Sequence, residues 1–587
     1  MSTGRSTLAV GRRGGQNVLP ALLAGAAVVV LAFRNGGYDA TSWSWTTIAA
    51  TAVAVTVLLR SDAGPLPRTS IAFVGCLTAF AAWIGLECLR RGVPTRGVPQ
   101  LERALLYVAV AAASVLVIRR MHVRATLVGL LAAIVVATGT GLWKLLLGPV
   151  RAERYEGRLL FQPLGYANAC GIFAVIGILL AFGITQTRAG LWERRFAATA
   201  LVPLVVGVQL TASRGAVAAG FAGWLTSIVL SSERSAAVGR AVLALALPLV
   251  GALAAARLHV GDTHETTGAL VRNGRLLAAI VVALCAAQWA IAARAERFGA
   301  RVLTRRRCAW AVAVVAVVGA FAVVRHGVGG SLGDRPAYWH VAWIDARSHP
   351  LLGSGPGSYG AAWIRLRPTP TGALNAHNLY LETLAELGPA GLALLVAALA
   401  IPFVVAVRRR STWRTVAAGA YVAFLVHAAL DWDWQMPAVT IAALLCGACI
   451  LAENSAWSVR RRAAATRFAL AGTSLVALLA GAEGVGAHAL AAARSTAGQS
   501  PAAAVREAEV AAAWQPWSAE PRRLLAELDA SAGDLPAARR ALEQAVLLDP
   551  ADVRTWFDLV RFGLPREQRT ALERIAELDP LGVRTTR

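Results

Sequence analysis

The sequence predicts an all-α fold, a polytopic transmembrane helical bundle followed by a small C-terminal α-helical repeat domain. Three observations lead there. The chain of 587 residues is 57% hydrophobic and only 16% charged, with a mean hydropathy of +0.56, whereas a soluble domain carries about 25% charged residues. Apolar runs of about 16–23 residues, long enough to cross a bilayer as helices, recur from Val18 to Ala487. From residue 499 onward the composition turns charged and rich in Ala, Leu and Arg, with a helical period.

The apolar runs define about fifteen spans, near residues 18–33, 44–59, 70–89, 101–118, 125–147, 166–185, 196–212, 215–230, 241–258, 276–293, 308–324, 379–407, 415–429, 437–452 and 467–488. The net charge of +25 is almost wholly arginine, with Lys144 the only lysine. Such a balance is one mark of nucleic-acid binding. Here the arginines cluster at the ends of apolar runs, as the positive-inside rule requires, so nucleic acid is not an expected partner. Arg12-Arg13, Arg60 and Arg68, Arg119-Arg120, Arg194-Arg195, Arg305-Arg306-Arg307, Arg408-Arg409-Arg410 and Arg460-Arg461-Arg462 occupy alternate connections and mark the cytoplasmic side. The 148–165 connection, the Ser213-Arg214-Gly215 break, the 325–376 loop and the Asp431-Trp432-Asp433 turn then face outward. An odd number of spans with a cytoplasmic N-terminus carries the tail outside as well; without the 467–488 span, which contains Glu483, the tail would return to the cytoplasm. No Ala-x-Ala site follows the first apolar run, so no cleavable signal is expected. The seven cysteines are scattered without CxxC spacing, which indicates neither a disulfide framework nor a metal site.

These features divide the chain into N-terminal transmembrane helices (1–147), a membrane core (148–455) with an outer loop at 325–376, a last transmembrane helix and linker (456–498), and the tail (499–587). In the tail, Ala513-Trp514-Gln515-Pro516 and Leu547-Leu548-Asp549-Pro550 set prolines 34 residues apart. That period, with Gly533-Asp534-Leu535-Pro536 as the turn between two helices, resembles a tetratricopeptide repeat. The next unit closes at Asp579-Pro580, after only 30 residues. Two or three such units form a packing or binding module for a protein partner.

Ionisable groups at a membrane boundary are costly and point to function. His377 lies in Asn375-Ala376-His377-Asn378-Leu379-Tyr380-Leu381-Glu382, at the start of a long apolar helix that continues through Glu386-Leu387-Gly388-Pro389. Histidine is the natural proton acceptor near neutrality. At a helix N-terminus the macrodipole disfavours imidazolium and attracts anions, so a base and a phosphate site can be neighbours. Tyr380 would orient the imidazole or an acceptor. Glu382 and Glu386 follow one and two turns deeper. In the plainer reading, Asn375 or Asn378 merely caps the helix and the histidine is structural.

Arg214 sits between two apolar runs with almost no loop to solvate it. Either its side chain snorkels to headgroups, or its planar guanidinium binds phosphate oxygens bidentately. Arg158, just before Tyr166-Ala167-Asn168, and Arg335, in Gly333-Asp334-Arg335-Pro336, are weak signals alone. Together the three place positive charge on one outer face, matching a pyrophosphate. A pyrophosphate on a lipid tail has to be met at the membrane boundary. The Gly353-x-Gly355-x-Gly357 loop lacks the GK[ST] ending and the preceding strand of a nucleotide loop, so it reads as a turn of close backbone approach. Arg335, Trp339, His340, Trp343 and Arg347 form a short amphipathic helix over the site. Asp431-Trp432-Asp433 matches a carboxylate pair that holds a divalent ion in nucleotide-sugar transferases. Nucleotide sugars are cytoplasmic and this turn faces outward, so a structural or gating role is expected, with His427 and Asp431 on one face and no metal.

Taken in order, Ser213-Arg214-Gly215-Ala216, Gly353-x-Gly355-x-Gly357, and His377-Asn378 leading into Glu386-Leu387-Gly388 resemble the O-antigen ligase and polymerase superfamily. The resemblance covers roughly residues 150–450. It implies a fold like that of the type-C membrane glycosyltransferases, with catalysis in the 148–455 core. It further implies transfer of a glycan from an undecaprenyl-pyrophosphate donor to a glycan, lipid or protein hydroxyl, without metal or other cofactor. The place would be the outer face of the cytoplasmic membrane, in cell-surface polysaccharide biosynthesis. His377 matches the histidine that activates the acceptor hydroxyl, and Arg214 an arginine that engages the donor pyrophosphate. Arg158 and Arg335 align as further donor contacts, with Asn378 and Tyr380 beside the substrate. Attack on the anomeric carbon opposite the phosphate implies inversion. Two other classes compete: a polysaccharide or lipid-linked-sugar transporter, which calls for charged or broken helices at mid-membrane and an internal repeat, and a non-catalytic assembly scaffold built on the tail.

Overall fold

The computed structural model describes residues 20–59, 66–92, 94–151, 153, 155–262, 265–295, 333–452, 458–459 and 463–585. The membrane portion begins with α1 (Pro20–Ala32), α2 (Ala40–Leu59), α3 (Arg68–Arg91), α4 (Pro94–Val117) and α5 (Val123–Leu147). It continues with α6 (Ala167–Thr185), α7 (Leu191–Thr211), α8 (Arg214–Leu230), α9 (Arg234–Arg257) and α10 (Thr267–Ala295). Two shorter helices follow, α11 (Arg335–Ser348) and α12 (Tyr359–Leu366). The chain then re-enters the bundle as α13 (Leu379–Arg408), α14 (Thr412–His427), α15 (Pro437–Ala452) and α16 (Ala463–Thr496). Among the described residues, nine helices are long and apolar enough to cross a membrane. Every span read from the sequence falls on a described helix except 308–324, which lies outside the described residues together with Arg12-Arg13, Arg60, Arg305-Arg306-Arg307 and Arg460-Arg461-Arg462. Strand content among these residues is one antiparallel pair, Leu66–Pro67 against Ser458–Val459, in the register Leu66↔Val459. The chain is an all-α, multi-pass membrane protein.

The core runs through α6, α14 and α15, where Ile172, Phe173, Leu180, Tyr421, Phe424 and Leu444 are fully or almost fully buried. Lipid gives helices no hydrophobic reason to associate, so close packing has to hold them. Small residues supply it: a Cβ on Gly223 of α8 would collide with the Gly419 carbonyl of α14. Tyr380 and Tyr421 tie α13 to α14, donating their hydroxyls to the carbonyls of Leu425 (2.9 Å) and Leu399 (2.9 Å).

The outer loop is folded onto a break in α13. Gly388 has φ 66° and ψ −174°, a conformation open essentially to glycine alone, and Pro389 has no N–H to continue the helix. The freed carbonyls are taken up by the glycine loop, with Ser354 N donating to Ala385 O (2.9 Å) and Gly355 N to Glu386 O (2.8 Å). The Glu386 carboxylate reaches back and accepts from Gly357 N and Tyr359 N, both at 2.9 Å. Val341, Tyr359, Trp363, Ala376 and Ala385 close a small apolar core beneath α11 and α12.

The tail consists of α17 (Pro501–Trp514), α18 (Glu520–Ser531), α19 (Leu535–Leu548), α20 (Val553–Phe562), α21 (Pro565–Leu578) and α22 (Pro580–Thr585), each packed on the next. It docks on the side of the bundle that carries the outer loop. Arg96 pairs with Asp549 (2.8 Å), Arg367 with Asp579 (2.8 Å), and Thr95 donates to Trp517 O (2.7 Å).

Candidate functional site

Asp431 is the hub of the site. After α14 ends at His427, the chain turns tightly, with Leu430 N and Asp431 N both donating to His427 O (2.7 and 2.9 Å). Asp431 is buried, so its charge has to be matched by donors. Arg335 of α11 supplies a guanidinium N–H at 2.6 Å, Tyr166 its hydroxyl at 3.0 Å, Asn168 its amide at 2.9 Å, and Trp432 its backbone N–H at 2.9 Å. Arg335 also donates from Nε to Leu430 O at 2.8 Å. Burial lowers the Arg335 pKa, but the adjacent Asp431 carboxylate more than offsets this and raises it above its ordinary value.

Behind the hub lies a second pair. His427 Nδ1 stands 2.6 Å from Asp433 Oδ2, and each side chain is 1% exposed. His427 and Asp431 stay one helical turn apart, Asp431 N donating to His427 O, while the carboxylate that meets the imidazole is that of Asp433. A 3₁₀ turn over Asp433–Gln435 returns Asp433 to the imidazole, while Arg335, Tyr166 and Asn168 draw Asp431 the other way. The other imidazole nitrogen faces the start of α8, where a Cβ added at Gly215 would lie 3.3 Å from His427 Nε2.

His377 adopts φ 53°, the left-handed region that non-glycine residues rarely enter. Backbone strain of this kind is concentrated at functional sites. Nδ1 lies 3.0 Å from Asn375 O. A carbonyl only accepts, so Nδ1 carries the proton and Nε2 keeps a lone pair. The Tyr338 ring stacks on the imidazole at 5.0 Å and 27°. Burial pushes the His377 pKa below its ordinary value, opposed by the Asp431 and Asp433 carboxylates and the Asn375 carbonyl. The ring is thus neutral near pH 7. The helix macrodipole predicts the same neutrality, but α13 begins two residues later at Leu379 and burial is the main cause.

The other expected residues separate. Asn378 is the N-cap of α13, its Oδ1 accepting from Leu381 N at 3.0 Å. The Tyr380 hydroxyl is committed to Leu425 O and does not orient the imidazole. Arg214 is the exposed first residue of α8, after Ser213, whose Oγ caps the helix by accepting from Ala216 N. Its neighbour Gly215 brings that helix end against His427. Arg158 is buried elsewhere, with Nε donating to Val260 O at 3.3 Å and a terminal nitrogen 3.5 Å from Leu145 O. Those carbonyls replace the Asp431 cluster as its surroundings.

Sequence reasoning passed over Tyr166, Asn168 and Gln435 as site residues. Gln435 donates to Glu382 (3.0 Å) and to the Asn375 side chain (3.1 Å), anchoring the strained His377 segment. The available signal was polarity at the ends of apolar runs: an Asn just inside α6 and a Gln just before α15. Among the described residues no group of three or more His, Cys, Asp and Glu side chains is placed to hold a metal ion. Asp431 and Asp433 are each occupied by protein partners, so this turn does not present a free carboxylate pair.

Residues 199–396 match the family model described as O-Antigen ligase. The matched stretch runs from α7 past the break in α13 and contains Arg214, Arg335, His377, Asn378 and Tyr380. No curated protein matches the chain.

Proposed function

We propose that this chain, whose residues 199–396 match the O-Antigen ligase family model, has a membrane glycosyltransferase-like role and transfers a glycan from an undecaprenyl-pyrophosphate donor to a hydroxyl acceptor at the outer face of the cytoplasmic membrane. The observation that carries the reading is His377: a strained, half-buried imidazole whose Nε2 keeps its lone pair, beside the Arg335–Asp431 pair. Its ring would take the acceptor's proton as the hydroxyl oxygen attacks the anomeric carbon. The carbon–oxygen bond to the pyrophosphate then breaks, and the electron pair leaves with the phosphate oxygen. Fixed guanidinium groups at that oxygen can stabilise the developing charge.

Arg214 and Arg335 are the guanidinium groups proposed for this role. Arg335 is paired with Asp431 in the structure, so donor binding would require it to share or exchange that partner. Asp431 tolerates the exchange because Tyr166, Asn168 and Trp432 N continue to satisfy its carboxylate. Asn378 and Tyr380 contribute by fixing the start of α13, and Arg158 by holding the 153–166 loop that leads to Tyr166. The domain division read from the sequence fits this proposal: the core carries the chemistry, and the docked tail, on the side of the outer loop, recruits an acceptor or partner outside the membrane. The break at Gly388 invites a transporter reading, but the glycine loop fills that break and satisfies its carbonyls.

The test is transfer by purified protein from an undecaprenyl-pyrophosphate glycan to candidate glycan, lipid and protein acceptors, beside His377→Ala and Arg214→Ala. Loss of transfer in both variants is expected; full transfer by both would overturn the assignment.

A further inference from the structure

The end of the bundle opposite His377 holds an open polar cavity. Helices α6, α8 and α14 each contribute one end to the His377 side, through Tyr166 and Asn168, Gly215 and His427. Their other ends, at Gln186, Leu230 and Trp413, line a pocket of about 720 Å³. Helix α6 has 19 residues, so the two sites lie about 28 Å apart along it. The volume falls within the range of small-molecule pockets, about 300–1,000 Å³.

Its charge is one-sided. Arg120, Arg124, Arg188, Arg240 and Arg410 line the pocket, against Glu233 as its acidic residue. Arg124 is engaged by Glu193 through bonds of 2.9–3.0 Å, and Arg240 by Glu233 (3.2 Å) and by Gln186. Among the described residues, Arg120, Arg188 and Arg410 have no carboxylate partner. Positive charge on this side follows from the positive-inside rule alone. That rule asks only for exposed arginines near helix ends, and does not explain their convergence from four separate connections onto one concavity. Phe182 and Trp413 extend the lining from the charged rim into the apolar layer.

We propose that this pocket binds a phosphate group, delivered either by an acidic phospholipid headgroup or by a soluble phosphate. Three guanidinium groups without carboxylates match phosphate oxygens in planar, bidentate geometry. Basic pockets between membrane helices on the cytoplasmic side suit lipid headgroups in the same way. An occupant would bind the ends of the three helices whose opposite ends build the His377 site. The inference stands independently of the glycan-transfer reading.

Two probes identify the source. The full-length protein is placed in phosphatidylcholine nanodiscs with and without phosphatidylglycerol, and bound lipid is read by native mass spectrometry. Inorganic pyrophosphate is titrated calorimetrically against the same sample. Retention of phosphatidylglycerol over phosphatidylcholine assigns the site to a headgroup, and binding of pyrophosphate alone assigns it to a soluble phosphate. In either case Arg188→Gln with Arg410→Gln should weaken binding at least about tenfold, from the loss of two charge-assisted contacts. Glu233→Gln, which releases Arg240, should tighten it several-fold and does not depend on how well the arginine variants fold. Absence of binding by both probes, or equal binding by wild type and all variants, would overturn the proposal.

Discussion

The Glu386 carboxylate is the clasp that holds the glycine loop, and its removal has a calculable effect. In the folded chain it accepts two backbone N–H groups, Gly357 and Tyr359, each at 2.9 Å, and its side chain is buried. A hydrogen bond to a charged group contributes about 1.5–3 kcal/mol. Glu386→Ala therefore removes about 3–6 kcal/mol of local stabilisation and leaves two inward-facing donors unmatched. Glu386→Gln keeps one acceptor oxygen and should lose about half as much. The bundle itself does not depend on these bonds, so the loss should appear as local opening. Hydrogen exchange of residues 353–359 in nanodiscs is the direct assay. The alanine variant should exchange at least about 100-fold faster there and the glutamine variant about 10-fold, since about 1.4 kcal/mol is a factor of ten. The peptides of α6 and α15 should be unchanged. Unaltered exchange at Gly357 and Tyr359 in both variants would refute the clasp.

Other consequences follow from the same geometry. Because burial holds the His377 pKa below its ordinary 6.5, the base is active above that lowered value and is lost on protonation. The acid limb of kcat/KM should accordingly fall below pH 6.5, and a limb centred above 6.5 would assign the titration to another group. Asp431→Asn leaves Arg335 without its counter-charge and should destabilise the outer helix α11 by about 1.5–3 kcal/mol, read as faster exchange of residues 335–348. Charge reversal at both Asp549 and Asp579 should release the tail from Arg96 and Arg367, read as new protease cleavage between residues 497 and 520, with the membrane core intact. Treatment with a chelator should leave transfer unchanged, because Asp431 and Asp433 are held by Arg335 and His427; a chelator-sensitive rate would show that the turn rearranges to take a metal.

Much of the fold was legible because membrane helices advertise themselves. A run of apolar residues flanked by arginine has few other structural solutions, and the described helices fall where those runs are. The amphipathic helix from Arg335 to Arg347 and the close backbone approach of the glycine loop were also readable, the first from its aromatic spacing, the second from glycines at 353, 355 and 357. The partner of that loop was not. Nothing local indicates that Glu386, about 30 residues on, would cap its amides, or that Gly388 would break α13 to receive it. The candidate site was legible as residue types but not as pairings. His377 stood out as an ionisable group at a boundary, yet its left-handed backbone and its tautomer depend on Asn375 O and on burial. His427 and Asp431 sit four apart in sequence, and helical spacing puts them on one face without saying which carboxylate meets the imidazole. The helix ends between them, so Asp433 takes the imidazole instead. Arg158 was readable as a loop arginine, but not its partners, the backbone carbonyls of Val260 and Leu145.

The central claim is that His377 acts as the base in glycan transfer. It is tested most directly by single-turnover transfer from bound undecaprenyl-pyrophosphate glycan, comparing wild type with His377→Gln. A general base contributes about 10²–10⁴-fold, so the variant should retain donor binding while its transfer step slows by that factor. Transfer at the wild-type rate, with donor binding intact, would contradict the account.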